Sequence, residues 1–391
     1  MAGTRASRGD PAKGGTVRGL ASSIPRHRRA AVGLTLVSLA LLLAACSSDG
    51  PAAAPSTGGA SAAPVATEGS TLAIVRQRGV LRVGVNDQLP GFGYIRPDGA
   101  FAGFDIDFGR ALGAAIFGDA TKVQFVSVSA SSRFGALSAG EIDVLIRNTT
   151  WSLSRDSSLR LTFAVPTFYD GQGVMVRASD GINSLDDLDG AVVCALTGTT
   201  TQLNQEDRFA GTGVRYQPLV FDRNETLQEA FIAGRCDAWT SDKSQLAARR
   251  AAFPVRAGGP QSLVILPDTL SKEPLAPLVR DDDPAWADLV NWVVLGMLAA
   301  DELGVTSTNV EQMAESPPSQ EVARLLGVPV QGTVFNPGLG VATDFMRAVI
   351  RQVGNYDEVY QRNVAPLGIP RAGTLNASWL DGGLMYAPPY R

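Results

Sequence analysis

Histidine is almost missing from this chain. Its 391 residues include one, His27, within a basic N-terminal stretch. Beyond that stretch a Ser-His-Asp triad, a Cys-His pair and a histidine-ligated metal site are all excluded, while carboxylate-only catalysis stays open. Lysine is scarce too: after residue 45 only Lys122, Lys243 and Lys272 occur, a bias with no functional reading. Positive charge runs short overall. Residues 1–45 hold seven of the 34 basic side chains and one of the 38 acidic ones, so the remainder carries 27 against 37 and sits near −10. That balance argues against nucleic acid or an anionic membrane surface as the main partner. No clean internal repeat is found.

What is present reads as globular, with 45% apolar and 18% charged residues and length enough for two ordinary domains. Arg26-His27-Arg28-Arg29 precede an uncharged run from Ala30 to Ala45. A basic segment followed by an apolar run too short to span a bilayer predicts a secretory signal peptide over 1–45. The run ends Leu43-Ala44-Ala45-Cys46, which resembles a bacterial lipoprotein cleavage box. The resemblance implies a lipid anchor on Cys46 and an extracytoplasmic location. Residues 46–70, rich in Ser, Ala, Pro, Gly and Thr, cannot bury enough to order themselves and predict a flexible tether.

From Thr71 the pattern alternates strand and helix. Leu81–Val85 has strand character, Phe104–Gly118 carries apolar residues at helical spacing, and Val123–Val128 and Ile142–Ile146 read as strands around a short helix at Arg133–Ala139. The alternation restarts at Ser184-Leu185-Asp186-Asp187, a capping box with Asp for Glu. Strands follow at Ala191–Leu196, Tyr216–Phe221 and Cys236–Thr240, with helices between them. Breaker-rich apolar segments at Phe163–Val176 and Ser262–Arg280 suit two crossings between the units. After Asp283, residues Trp286, Leu289, Val290, Val293, Val294, Met297 and Leu298 make one helix face, and the last ninety residues should pack back on the first unit. This predicts an α/β protein of two lobes joined by two crossing segments around a cleft. Lobe 1 would comprise 71–172 with 275–391, and lobe 2 residues 173–274.

The order of Gly79–Val85, Gly103–Asp107, Gly140–Val144, a Thr-rich turn with Arg155, Phe163…Tyr169 and Thr197-Gly198-Thr199 resembles the extracellular solute-binding protein family 3. These are the polar amino-acid-binding proteins of ABC importers. Arg147–Asp156, Tyr169–Gly173, Thr197–Thr201, Gly354-Asn355-Tyr356 and Tyr386–Pro389 are similar to its general L-amino-acid-binding branch. The resemblance covers about Thr71 to Arg391 and implies a type II periplasmic-binding-protein-like fold. It implies a monomer that captures free L-amino acids by hinge closure and hands them to a membrane ABC permease, with no enzyme activity, cofactor, metal or nucleic acid.

A zwitterion needs a cation with donors at one end and an anion at the other, and a guanidinium meets a carboxylate with two parallel bonds. The resemblance puts Arg155 at the carboxylate-binding position, with Asn148 and Thr150 completing that pocket and Thr199 and Thr200 contacting the ligand from lobe 2. The turn Thr197–Thr201 opens a helix, whose first N–H groups favour an anion. Asp242 falls at the position that binds the α-ammonium. Leu89 and Phe92 match a loop that touches the ligand side chain, and Leu89 replaces an aromatic found in narrow binders. Asp105 and Asp107 recur in the family and read as structural. Cys194 and Cys236 enclose a loop of about forty residues and are either a disulfide or two buried thiols; similar cysteines in the resembling branch imply the disulfide. Two rivals share the fold: a periplasmic dehydratase, for which Glu141 and Glu206 are available carboxylates, and a sensor subunit for the same ligand.

Overall fold

The computed structural model describes residues 69–210 and 213–391; the signal segment, Cys46 and the tether expected over 46–70, except Gly69 and Ser70, lie outside the described residues. Two sheets organise the molecule. In the first the order is Val123–Ser127, Leu81–Val85, Val144–Leu145, Leu278–Arg280, Leu161–Phe163. Its first three strands are parallel and the last two join antiparallel. In the second the order is Gln217–Phe221, Val192–Leu196, Ala238–Asp242, Phe168–Arg177, Leu263–Ile265. Again three parallel strands meet an antiparallel neighbour. Strands buried on both faces carry apolar runs such as Val-Val-Cys-Ala-Leu at 192–196.

The ten-residue strand Phe168–Arg177 connects the lobes. Phe168–Gly171 pair with Lys272–Leu275, and Gln172–Val176 pair with Ala238–Asp242. Both crossing segments therefore lie side by side as an antiparallel ribbon, so the lobes are joined by a paired hinge. Asn376 grips this ribbon from the C-terminal region. Its Oδ1 accepts from Tyr169 N at 2.7 Å, and its Nδ2 donates to Tyr169 O at 3.0 Å.

The larger core lies in lobe 1, where Phe104–Phe117 and Pro284–Glu302 pack on the first sheet together with the C-terminal helices Phe345–Gln352 and Tyr356–Asn363. Pro284–Glu302 starts where Asp283 accepts from Trp286 N at 3.0 Å with Pro284 at the first helical position. It buries the face read from the sequence. The C-terminal helix is held by a full capping box between Asn355 and Glu358. By contrast Ser184–Asp187 opens only a single 3-10 turn, Asp186–Leu188. Asp187 accepts from the Asn183 and Ser184 backbones there, a local turn closed before a helix can propagate.

In lobe 2 the buried residues fall on both faces of the sheet, and Cys194 is disulfide-bonded to Cys236 with Cα atoms 5.8 Å apart. The bridge joins the strand Val192–Leu196 to the chain entering Ala238–Asp242.

Candidate functional site

The parallel strands of both sheets end toward the space between the lobes, and the loops leaving them supply the charged residues. Val144–Leu145 runs into Arg147-Asn148-Thr149-Thr150. Asn148 takes a left-handed conformation, φ 30°, held by its N–H donating to Asp105 Oδ2 at 3.0 Å. Across the gap Val192–Leu196 feeds the turn before the helix Thr200–Ala210. Gly198 sits there at φ 75°, where a Cβ would lie 3.2 Å from Ser131 Cα of the opposite lobe. The glycine thus serves both the turn and the approach of the lobes.

Between these loops is a cavity of about 20 Å³ lined by Arg133, Arg147, Asn148, Thr150, Leu196, Thr199, Thr200, Thr201, Ser241, Asp242 and Gln245. A second space of about 70 Å³ shares Arg147 and Leu196 with it and continues to Asp87 and Arg223. Of the residues expected at the site, Asn148, Thr150, Thr199, Thr200 and Asp242 are brought together around the cavity. Arg155 stands just behind it. Its Nη1 donates to Thr150 O at 3.0 Å, and its guanidinium lies 5.2 Å from the Phe134 ring centroid. Leu89 and Phe92 do not line the cavity: both are fully buried in the lobe 1 core, where Phe92 packs edge-on against Phe104 and Phe168.

Three buried residues that the sequence reading did not single out complete the arrangement. Arg133 and Arg147 line the cavity. Arg147 Nε donates to Val128 O at 2.7 Å, and burial pulls this guanidinium down to about 10 against the pull of Asp87, Asp105 and Asp242. Arg133 Nε has no hydrogen-bond partner among the described residues. Burial, then Arg155 and Arg147, push Arg133 well below its usual range, and only Asp242 opposes them. The third residue is Glu273, on the hinge strand Lys272–Leu275. It accepts from Thr150 Oγ1 at 2.5 Å and from Thr200 Oγ1 at 2.8 Å. Arg147 stands inside the motif Arg147–Asp156 and was within reach of the sequence. Arg133 and Glu273 have no local pattern that marks them.

The anionic side is equally dense. Asp242 is pushed well above the carboxylate range by burial, then by Asp170 and Glu273, with the Asn148 amide and Arg133 pulling the other way. Asp170, on the hinge, is raised to about 6, first by burial and further by Glu273, against hydrogen bonds from Ser244 and Gly171. Arg133, Arg147 and Asp242 thus line one cavity, with Arg155 and Glu273 buried and Asp170 part-buried around it, and the Arg133 charge has no ion-pair partner among the described residues. Buried unpaired charge is costly. The arrangement is poised for a small molecule carrying both signs.

Asp105 and Asp107 are framework. Asp107 accepts from Arg110, Arg362 and Asn363, tying Phe104–Phe117 to the C-terminal helix. Glu141 and Glu206 are exposed and line neither space.

Two lobes on a paired hinge with a charged cleft define a type II periplasmic binding protein. The profile described as "Bacterial extracellular solute-binding proteins, family 3" matches residues 81–308, and the chain belongs to that family. Over 329 residues it is 43% identical to the general L-amino acid-binding periplasmic protein of Rhizobium johnstonii, covering 83% of this chain and 94% of that one. It is also 43% identical over 327 residues to the glutamate/glutamine/aspartate/asparagine-binding protein of Rhodobacter capsulatus, with 83% and 95% covered. Among solved structures, a periplasmic binding protein of an ABC transporter from Brucella ovis with glutathione bound is 44% identical with a TM-score of 0.78, covering 83% of this chain and all of that one. No helix among the described residues is long and apolar enough to cross a membrane.

Proposed function

We propose that this protein captures free L-amino acids outside the cell and delivers them to an ABC permease, working as a monomer anchored through lipid on Cys46. The observation that carries the reading is the meeting of Arg133, a buried guanidinium with no carboxylate in ion-pair contact among the described residues, with Asp242 across one interlobe cavity. The names of the relatives from Rhizobium johnstonii and Rhodobacter capsulatus support the ligand class. The ligand carboxylate goes to Arg133 and Arg147, with Arg155 bracing the Thr150 backbone. The α-ammonium goes to Asp242 and Asn148. The second space, toward Asp87 and Arg223, receives the side chain, in place of the expected Leu89 and Phe92. Lobe limits of 71–172 with 275–391 and 173–274 are supported by the change of pairing partner along Phe168–Arg177.

Binding comes without turnover, a reading supported by the solute-binding family and by the names of the relatives. Ligand bridging the two lobes shifts the population toward the closed form. Calorimetric titration of the purified protein against the twenty amino acids tests this. Saturable binding of several of them is expected, and an absence of binding by all of them refutes the reading.

A further inference from the structure

Glu273 is 1% exposed and its carboxylate is shared by both lobes. Oε2 accepts from Thr150 Oγ1 at 2.5 Å and from Thr200 Oγ1 at 2.8 Å, while Oε1 accepts from Asn204 Nδ2 at 2.8 Å and from Ser271 Oγ. Four donors fill the lone-pair sites of a carboxylate, so Glu273 has none to offer a ligand. Nor does it line the cavity. Whatever it does for binding, it does through the two threonines.

A hydroxyl has a single proton and two lone pairs. The Thr150 and Thr200 hydroxyls are 3.3 Å apart, farther from one another than either is from Glu273 Oε2. Each proton is therefore committed to Glu273. Toward the cavity both hydroxyls present lone pairs alone, a surface that attracts N–H donors and repels a carboxylate. This departs from the expectation that Thr150 completes the carboxylate pocket, and it gives the contact expected of Thr200 an acceptor character.

We propose that Glu273 is a positioning residue that fixes the polarity of the binding site. By taking one hydroxyl proton from each lobe, it makes the wall at Thr150 and Thr200 an acceptor surface that admits an α-ammonium and rejects a ligand bound in reverse. The wall is complete only when both lobes reach Glu273, so ligand orientation is checked at closure. The inference rests on the amino-acid reading above and assigns the determinant of one end of that ligand.

Glu273→Gln replaces one oxygen by a donor NH2; set beside the threonines, that NH2 makes a hydroxyl accept and turn its proton toward the cavity. Thr200→Val removes one acceptor and leaves Glu273 in place, and circular dichroism checks that both variants fold. The probes are L-glutamate with glutarate and L-alanine with propionate, pairs that differ only in the α-ammonium, measured by calorimetry and by competition. In the unaltered protein the amino acid binds more tightly than its deaminated partner. Both variants are expected to narrow that ratio about tenfold, the worth of one charge-assisted hydrogen bond, by weakening the amino acid and sparing the acid. Equal weakening of both probes would reveal a purely structural hinge residue and overturn the proposal, as would an unchanged ratio. If Glu273→Gln does not fold, the ratio in Thr200→Val decides alone. Failure of the unaltered protein to bind any amino acid removes the underlying reading instead, and the proposal with it.

Discussion

Amino-acid affinity is expected to fall as pH drops, with Asp242 setting most of the slope. The group is held well above its ordinary range by burial and by Asp170 and Glu273, while the Asn148 amide and Arg133 favour its charged form. A free amino acid keeps both charges between about pH 8 and pH 5, and the arginines stay protonated, so carboxyls of the cleft are the groups that titrate. Binding an ammonium requires the Asp242 carboxylate, so below its ligand-free pKa each unit of pH weakens binding about tenfold, or about 1.4 kcal/mol. Dissociation constants measured calorimetrically should therefore rise as the pH is lowered from about 7 to about 5. Comparison of two buffers of different ionisation enthalpy should show protons released on binding. Asp242→Asn should bind weakly and lose most of the slope. A flat profile, or an Asp242→Asn protein with unchanged affinity and slope, would refute the assignment of Asp242 to the ammonium.

Stability without ligand should respond with the opposite sign. Asp105, raised from 3.8 to about 7, binds more protons folded than unfolded, so its contribution is present at low pH and lost as pH rises through about 7. At roughly three pKa units that amounts to about 4 kcal/mol, and the ligand-free melting temperature should be higher at about pH 5 than at about pH 8. Arg133→Met should raise ligand-free stability by about 1–3 kcal/mol by removing a buried unpaired charge, and lower amino-acid affinity at least about tenfold; thermal melts with and without ligand measure both. Replacing Cys194 and Cys236 by Ser opens a loop of 42 residues' separation and should cost about 4 kcal/mol in denaturant titrations. Gly198→Ala should weaken binding, since its Cβ would lie 3.2 Å from Ser131 Cα, and should also lower stability by straining a turn residue held at φ 75°; titration and a melt separate the two effects.

Much of the architecture was legible because it is periodic. The apolar face from Trp286 to Leu298 declares itself at helical spacing, and the strands Leu81–Val85 and Val192–Leu196 declare themselves as apolar runs between breakers. Ser184–Asp187 misled because Asp187 satisfies two backbone donors in a local turn, which no helix need follow. In the site, Asn148, Thr150 and Asp242 could be named from an ordered set of motifs. Glu273 could not. Its meaning depends on hinge pairing that carries it to residues 123 and 73 positions distant, and no local pattern encodes such a meeting. Arg133 opens a short helix with the look of any surface arginine, and no local pattern announces that it is buried. Leu89 and Phe92 show the converse: a loop that suits a ligand pocket instead feeds its side chains to the nearest apolar core.

The grip of Asn376 on Tyr169 determines where the molecule can bend. Because that amide holds both backbone groups of Tyr169, the ribbon is pinned to lobe 1 up to that residue, and any swing of lobe 2 must take its fulcrum in the next few residues, Asp170 to Gly173. Asn376 also lies beyond residues 81–308, the part matched by the family profile. The segment that follows the shared body therefore works as a hinge plate.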